Sequence, residues 1–276
     1  MSAATTTAGP TAGPTAGPSA GPGTTAAGRL AALGKAELTL LGRSKGMLVT
    51  ALVIPLVLPL SVQQTLKGDI LEKAGLSMGT AMLTAGIGFA MLFAVYAALV
   101  NIYVARREEL VLKRLRTGEL LDREILAGTA LPAALIGLVQ CVVVAVACTA
   151  LIDLEAPKAL HLAVLGVLLG IVLMVALGAV TAAFSRTAES AQVSSLPLMF
   201  VSMIGSGMTV PFEIFPDRLA SVLELLPLSP AIRLVRGGWT GELSAYEALG
   251  AVATAVAWVV LAVFAVQRWF RWEPRH

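Results

Sequence analysis

The residues best equipped for specific contact lie in one run, Arg106-Arg107-Glu108-Glu109-Leu110-Val111-Leu112-Lys113-Arg114-Leu115-Arg116-Thr117-Gly118-Glu119-Leu120. Guanidinium, ammonium and carboxylate groups at this density suit charge-assisted pairing with a partner rather than a covalent step. Glu109 precedes Lys113 by four residues, an orientation that adds about 0.3 kcal/mol to a helix. Val111, Leu112 and Leu115 form a narrow apolar stripe. The pattern predicts a short charged helix whose apolar edge, Leu112 and Leu115, anchors a contact made by Arg107, Glu108, Glu109, Lys113, Arg114 and Arg116.

Other chemistries find no residues. No Gly-x-x-x-x-Gly-Lys-Ser/Thr loop is present, and Gly42-Arg43-Ser44-Lys45-Gly46 lacks the spacing. No His-Glu-x-x-His and no His, Cys and Asp cluster with ligand spacing occurs, so the expectation is no metal and no catalytic residue. Cys141 and Cys148 are seven apart in one apolar segment, two helical turns from each other and beyond disulfide reach. The polar residues of the apolar segments are mainly uncharged: Asn101, Gln140, Thr84, Thr129, Thr149, Thr181, Ser194, Ser195, Ser202 and Ser206. Ion-driven carriers place Asp, Glu or His in the membrane as relays. His161, near the end of a span, and His276, the last residue, do not make one. Active transport through this chain would therefore draw its energy from another polypeptide.

The elements around the run are apolar. The chain is 57% hydrophobic and 13% charged, against about a quarter charged in soluble domains, which makes it an all-α polytopic membrane protein. Six segments approach the roughly 20 residues that cross a bilayer. They run from about Gly46 to Gln63, Ser77 to Ala105, Ile125 to Ile152, Ala159 to Phe184, Ala191 to Val210 and Tyr246 to Val266. Pro55 and Pro59 should kink the first. Residues 1–23 include three copies of Thr-Ala-Gly-Pro and one of Ser-Ala-Gly-Pro, too small to bury a core, and are expected to be disordered. They lack the basic start and apolar core of a secretory signal. Thr24 to Lys45 has leucines at near-helical spacing among basic residues, which fits an interfacial elbow helix. With the N-terminus inside, the inner segments carry fourteen Lys and Arg and the outer ones six. That asymmetry predicts both termini in the cytoplasm, with Trp269 and Trp272 in an inner aromatic belt. The stretch from Pro211 to Ser244 is too apolar for a plain loop and too rich in proline to span, which fits short re-entrant helices near the outer leaflet. The modest net charge of +3 calls for no nucleic acid.

Gly166-Val167-Leu168-Leu169-Gly170 permits close helix approach, either between copies or within one chain. Ser202, Gly205 and Ser206, with Met208, make a small, mildly polar patch that is either the lining of a substrate path or a packing seam.

Two stretches resemble the ABC type-2 exporter permeases. In the run, Arg107, Glu108, Glu109, Leu112, Lys113, Arg114, Leu115, Arg116 and Leu120 fit the first cytoplasmic loop of that family. Leu110 stands where the family often has Gly, and Gly118-Glu119 replaces its turn proline. Downstream, Pro211-Phe212-Glu213-Ile214-Phe215-Pro216, then Leu226-Pro227-Leu228-Ser229-Pro230 and Arg233, match a second family pattern in the same order. The resemblance implies a transmembrane domain over residues 24–276, with elbow helix, coupling helix and six spans. It further implies a second permease subunit, identical or not, and an ATP-binding subunit that carries the ATP and Mg, docked on the coupling helix. Drug, antibiotic or lipid-like cargo would be exported across the cell membrane. The alternative is a non-transporting scaffold or sensor that binds a cytoplasmic partner through the same loop.

Overall fold

In the computed structural model, the described residues are 77–117, 121–152, 154–270 and 272, with Gly28, Lys35 and Thr39 as isolated positions. The expected tail and first span lie outside them, as does the expected elbow helix apart from those three positions. All regular elements among the described residues are helical. Helix α1 is Met78–Glu108, α2 Val111–Arg116, α3 Asp122–Leu151, α4 Leu160–Phe184 and α5 Ala188–Gly205. A 3-10 turn at Phe212–Ile214 precedes α6 (Asp217–Leu223), α7 (Ser229–Thr240) and α8 (Ala245–Trp269). Four of these, α1, α3, α4 and α8, are long and apolar enough to cross a membrane. Helix α5 has 18 residues, about 27 Å at the helical rise. Glu189, Gln192 and its serines dilute its hydropathy.

Helix α1 is the axis of the bundle. Most of its apolar window, 83%, is buried within the chain, against 17% for α8. Its middle, Ala90–Ala97, is π-helical, a widened turn that re-aims side chains. There Tyr96 shares a 3.0 Å hydrogen bond with Thr181 of α4, and Met91 lies against Gly170. Helices α3, α5 and α8 turn valine, leucine and phenylalanine outward, among them Val142, Val146, Phe200, Ile204, Val260 and Phe264. Such faces suit lipid or another apolar partner.

The two short helices between α5 and α8 occupy the stretch read as re-entrant. Helix α7 runs antiparallel to the first half of α4. A Cβ at Gly238 would meet Ala163, one at Gly166 would meet Ala231, Leu234 and Val235, and one at Gly170 would meet Ala231. Gly170 stands ten residues into α4, so the start of α7 reaches about 15 Å along its neighbour. Gly166 and Gly170 therefore pack within the chain, and the contact between copies that their spacing also allowed is not their role. At the other end of α7, Gly241 takes φ 73° and its N–H bonds Gly237 O at 2.8 Å, a left-handed cap that glycine tolerates.

Candidate functional site: the basic corner

Helices α1, α4 and α8 end, and α2, α3 and α5 begin, at one end of the bundle, which carries Arg106 to Arg116, Arg123, Arg186 and Arg268. The charged run does not form one helix. Helix α1 ends at Glu108 with Glu109 as its cap, and Leu110 turns the chain with φ 59° and ψ 13° before α2. Glu109 and Lys113 therefore do not share a helix, contrary to the expectation from sequence. The left-handed turn falls where the family often has glycine, which adopts that backbone without strain.

The side chains of the run divide between inside and outside. Arg107 is 1% exposed and Leu112 fully buried, so the contact residue and the anchor expected there both face the chain's own interior. Glu108, Glu109, Lys113, Arg114 and Arg116 are exposed, and Leu115 is half-buried. Arg116 pairs with Asp122 at 3.0 Å, both about half exposed, and lies 5.1 Å from the ring centre of Trp272.

Arg107 reaches the C-terminus of α4. It donates to Ala182 O at 2.9 Å, to Ser185 O, and more weakly to Arg186 O at 3.4 Å. The last carbonyls of a helix lack intrahelical partners and carry its negative dipole end, so a guanidinium there is doubly favourable. Its neighbour Glu108 accepts from the Ala188 N–H at 3.3 Å, at the start of α5, where the dipole is positive. The corner between them is three residues, Ser185, Arg186 and Thr187. Thr187 Oγ1 accepts from Ser190 N–H, while Ser190 Oγ accepts from the N–H groups of Arg186 and Thr187. This reciprocal cap starts α5 at Ala188, three residues before the expected Ala191.

Two further tethers hold the corner. Tyr103, near the end of α1, donates to Leu126 O of α3 at 2.9 Å. Phe270, just past α8, stacks edge-on against Tyr103 and Trp272. Neither tether was foreseen from sequence. The Thr187-x-x-Ser190 spacing was a visible capping signal, but aromatic pairs between distant segments leave none.

The second candidate cluster lies toward the other end. Ser202 and Ser206 are fully buried, and their hydroxyls have no partner among the described residues. Gly205 faces Leu223 and Leu226, and Met208 packs on Gly88 of α1. Helix α5 ends at Gly205, short of the expected Val210, because Gly207 takes φ 77° against the Phe212 ring. The patch is a seam within the chain in this conformation.

A bundle of long apolar helices with a cationic, helix-capped corner at one end is a multi-pass membrane protein. The chain belongs to the ABC-2 family of transporter proteins, whose family model matches residues 33–266. It is thus the membrane permease component of an ABC transporter, a system that includes an ATP-binding subunit. No curated protein matches the chain.

Proposed function

We propose that this chain is the permease of an ATP-driven exporter and that α2 is its coupling helix. The observation that carries the proposal is the exposed cationic face of α2, Lys113, Arg114 and Arg116, on a family permease. Glu108, Glu109 and half-buried Leu115 border that face, while buried Leu112 seats α2 against the chain and Arg107 holds the end of α1 to α4. The basic end faces the cytoplasm of the cell membrane, as the charge asymmetry favours, with both termini there and six spans in all. Two permease subunits flank a path at their interface, and the partner subunit holds ATP and Mg. Binding of ATP shifts the pair between inward- and outward-facing states by its differential affinity for the two.

A substrate path lined by Ser202, Gly205, Ser206 and Met208 requires α5 to separate from α6 and the start of α1, because those residues are closed off here. The apolar surroundings favour hydrophobic or amphipathic cargo. The test is a mild-detergent pull-down from native membranes, with the native chain and with Lys113, Arg114 and Arg116 changed to Glu. An ATP-binding subunit should accompany the native chain and be lost on charge reversal. If none accompanies the native chain, α2 is not a coupling helix and the chain serves as a non-transporting scaffold.

A further inference from the structure

Adjacent residues at the end of α1 hold opposite ends of two consecutive helices. Arg107 binds the final carbonyls of α4, and Glu108 binds the first N–H of α5. Both lie within three residues of Leu110, the pivot into α2. A displacement of α2 that carries the last turn of α1 with it therefore reaches the α4–α5 corner.

We propose that Arg107 and Glu108 are positioning residues that transmit the displacement of α2 to α5, past the directly connected α3. This linkage presupposes that α2 docks the ATP-binding subunit and so rests on the function proposed above. The ion pair between α2 and α3, Arg116–Asp122, has half-exposed groups that are screened by water. The bonds from Arg107 are charge-assisted and buried, hence stiffer. The corner is short and capped on both sides, so it does not absorb the motion as a longer loop would. Helix α5 is also the element freest to respond. Val193, Leu196, Phe200, Val201 and Ile204 all face outward, and Pro197 removes one N–H from its ladder. Helix α1 is buried along most of its length, so only its last turn, with Arg107 and Glu108, follows α2.

The experiment uses the permease with its ATP-binding subunit in lipid nanodiscs, spin-labelled at Val146→Cys on α3 and Ile204→Cys on α5. Both positions are exposed, whereas the native Cys141 and Cys148 are buried. Distances are compared without nucleotide and with ATP and vanadate. The native distance should shift on trapping. In Arg107→Gln the shift should vanish while the ATP-binding subunit still co-purifies, and transport per ATP hydrolysed should fall about tenfold, within the usual range for coupled sites. Arg107→Lys should recover part of the shift, and Asp122→Asn, which removes the ion pair between α2 and α3, should leave it intact. Glu108→Gln, changed at an exposed position, should weaken the shift even if Arg107→Gln fails to assemble. A full shift in assembled Arg107→Gln, or in Glu108→Gln where Arg107→Gln does not assemble, overturns the linkage but not the coupling role of α2. A native complex with no ATP-dependent shift overturns both.

Discussion

Gly166 offers the sharpest test of the packing. A Cβ there would lie 2.8 Å from Leu234 Cβ, 2.9 Å from Ala231 O and 2.9 Å from Val235 N. Two of those atoms are backbone of α7, so no rotamer change relieves the overlap, and α4 and α7 must part by about 0.5 Å, enough to forfeit about a quarter of each dispersion contact across the interface. Overpacking of this kind costs about 1–3 kcal/mol, and the better helix propensity of alanine returns at most about 1 kcal/mol. With the full propensity gain, Gly166→Ala should therefore be destabilised by up to about 2 kcal/mol. Gly250 on α8 has no atom within 4 Å of the added carbon, so Gly250→Ala should be neutral or stabilised by up to about 1 kcal/mol. The pair controls for propensity. The assay is denaturant-titrated unfolding in detergent followed by tryptophan fluorescence. Trp239 is an internal reporter, 9% exposed on α7 with its indole N–H bonded to Glu155 O at 2.9 Å. A red shift of its emission in folded Gly166→Ala would mark the parted helices. Equal stability of the two variants would show that α7 is not seated on α4 as described.

Leu110→Gly should raise stability. The left-handed backbone costs a side-chain-bearing residue about 1–2 kcal/mol, and the looser unfolded chain takes back about 0.4–1 kcal/mol; unchanged or lower stability would mean that the turn is unstrained. Ser202→Ala should stabilise by about 1 kcal/mol by removing a buried hydroxyl that has no partner among the described residues. A loss in the same unfolding assay would mean that the hydroxyl has a partner after all. Arg236 and Glu213 lie 2.8 Å apart, 19% and 39% exposed. Arg236→Glu and Glu213→Arg should each weaken the packing of α7 against the 3-10 turn, and the double exchange should recover about 1 kcal/mol. Additive losses in that cycle would show the pair to be uncoupled.

Much of the architecture is legible in the sequence because length and hydropathy are one-dimensional quantities. The expected span from Ala159 to Phe184 differs from α4 by a single residue at its start. The expected sixth span, Tyr246 to Val266, is extended one residue forward by the Ser244 cap, whose Oγ accepts from Glu247 N–H, and three residues back to Trp269. Helix α5 was displaced because its start is set by hydroxyl capping at Thr187 and its end by the backbone of Gly207. The charged run was read as a surface because charge ordinarily seeks water. Arg107 departs from that rule because the bare carbonyls at the end of α4 replace its hydration. Those carbonyls lie some 75 residues on in sequence, and no local pattern announces them.

The sequence alone determined that the chain is a helical membrane bundle, roughly where its four long apolar helices among the described residues lie, and that its basic charge gathers at one end. Only the tertiary structure decided which arginine of the run is held inside, that Gly166 and Gly170 face α7 rather than another copy, and that Ser202 and Ser206 are shut within the chain. In a soluble helix the apolar stripe names the inward face. In a span apolar on every side, lipid and core are equally good solvents for leucine, and the inward face is set by where small residues and helix ends meet.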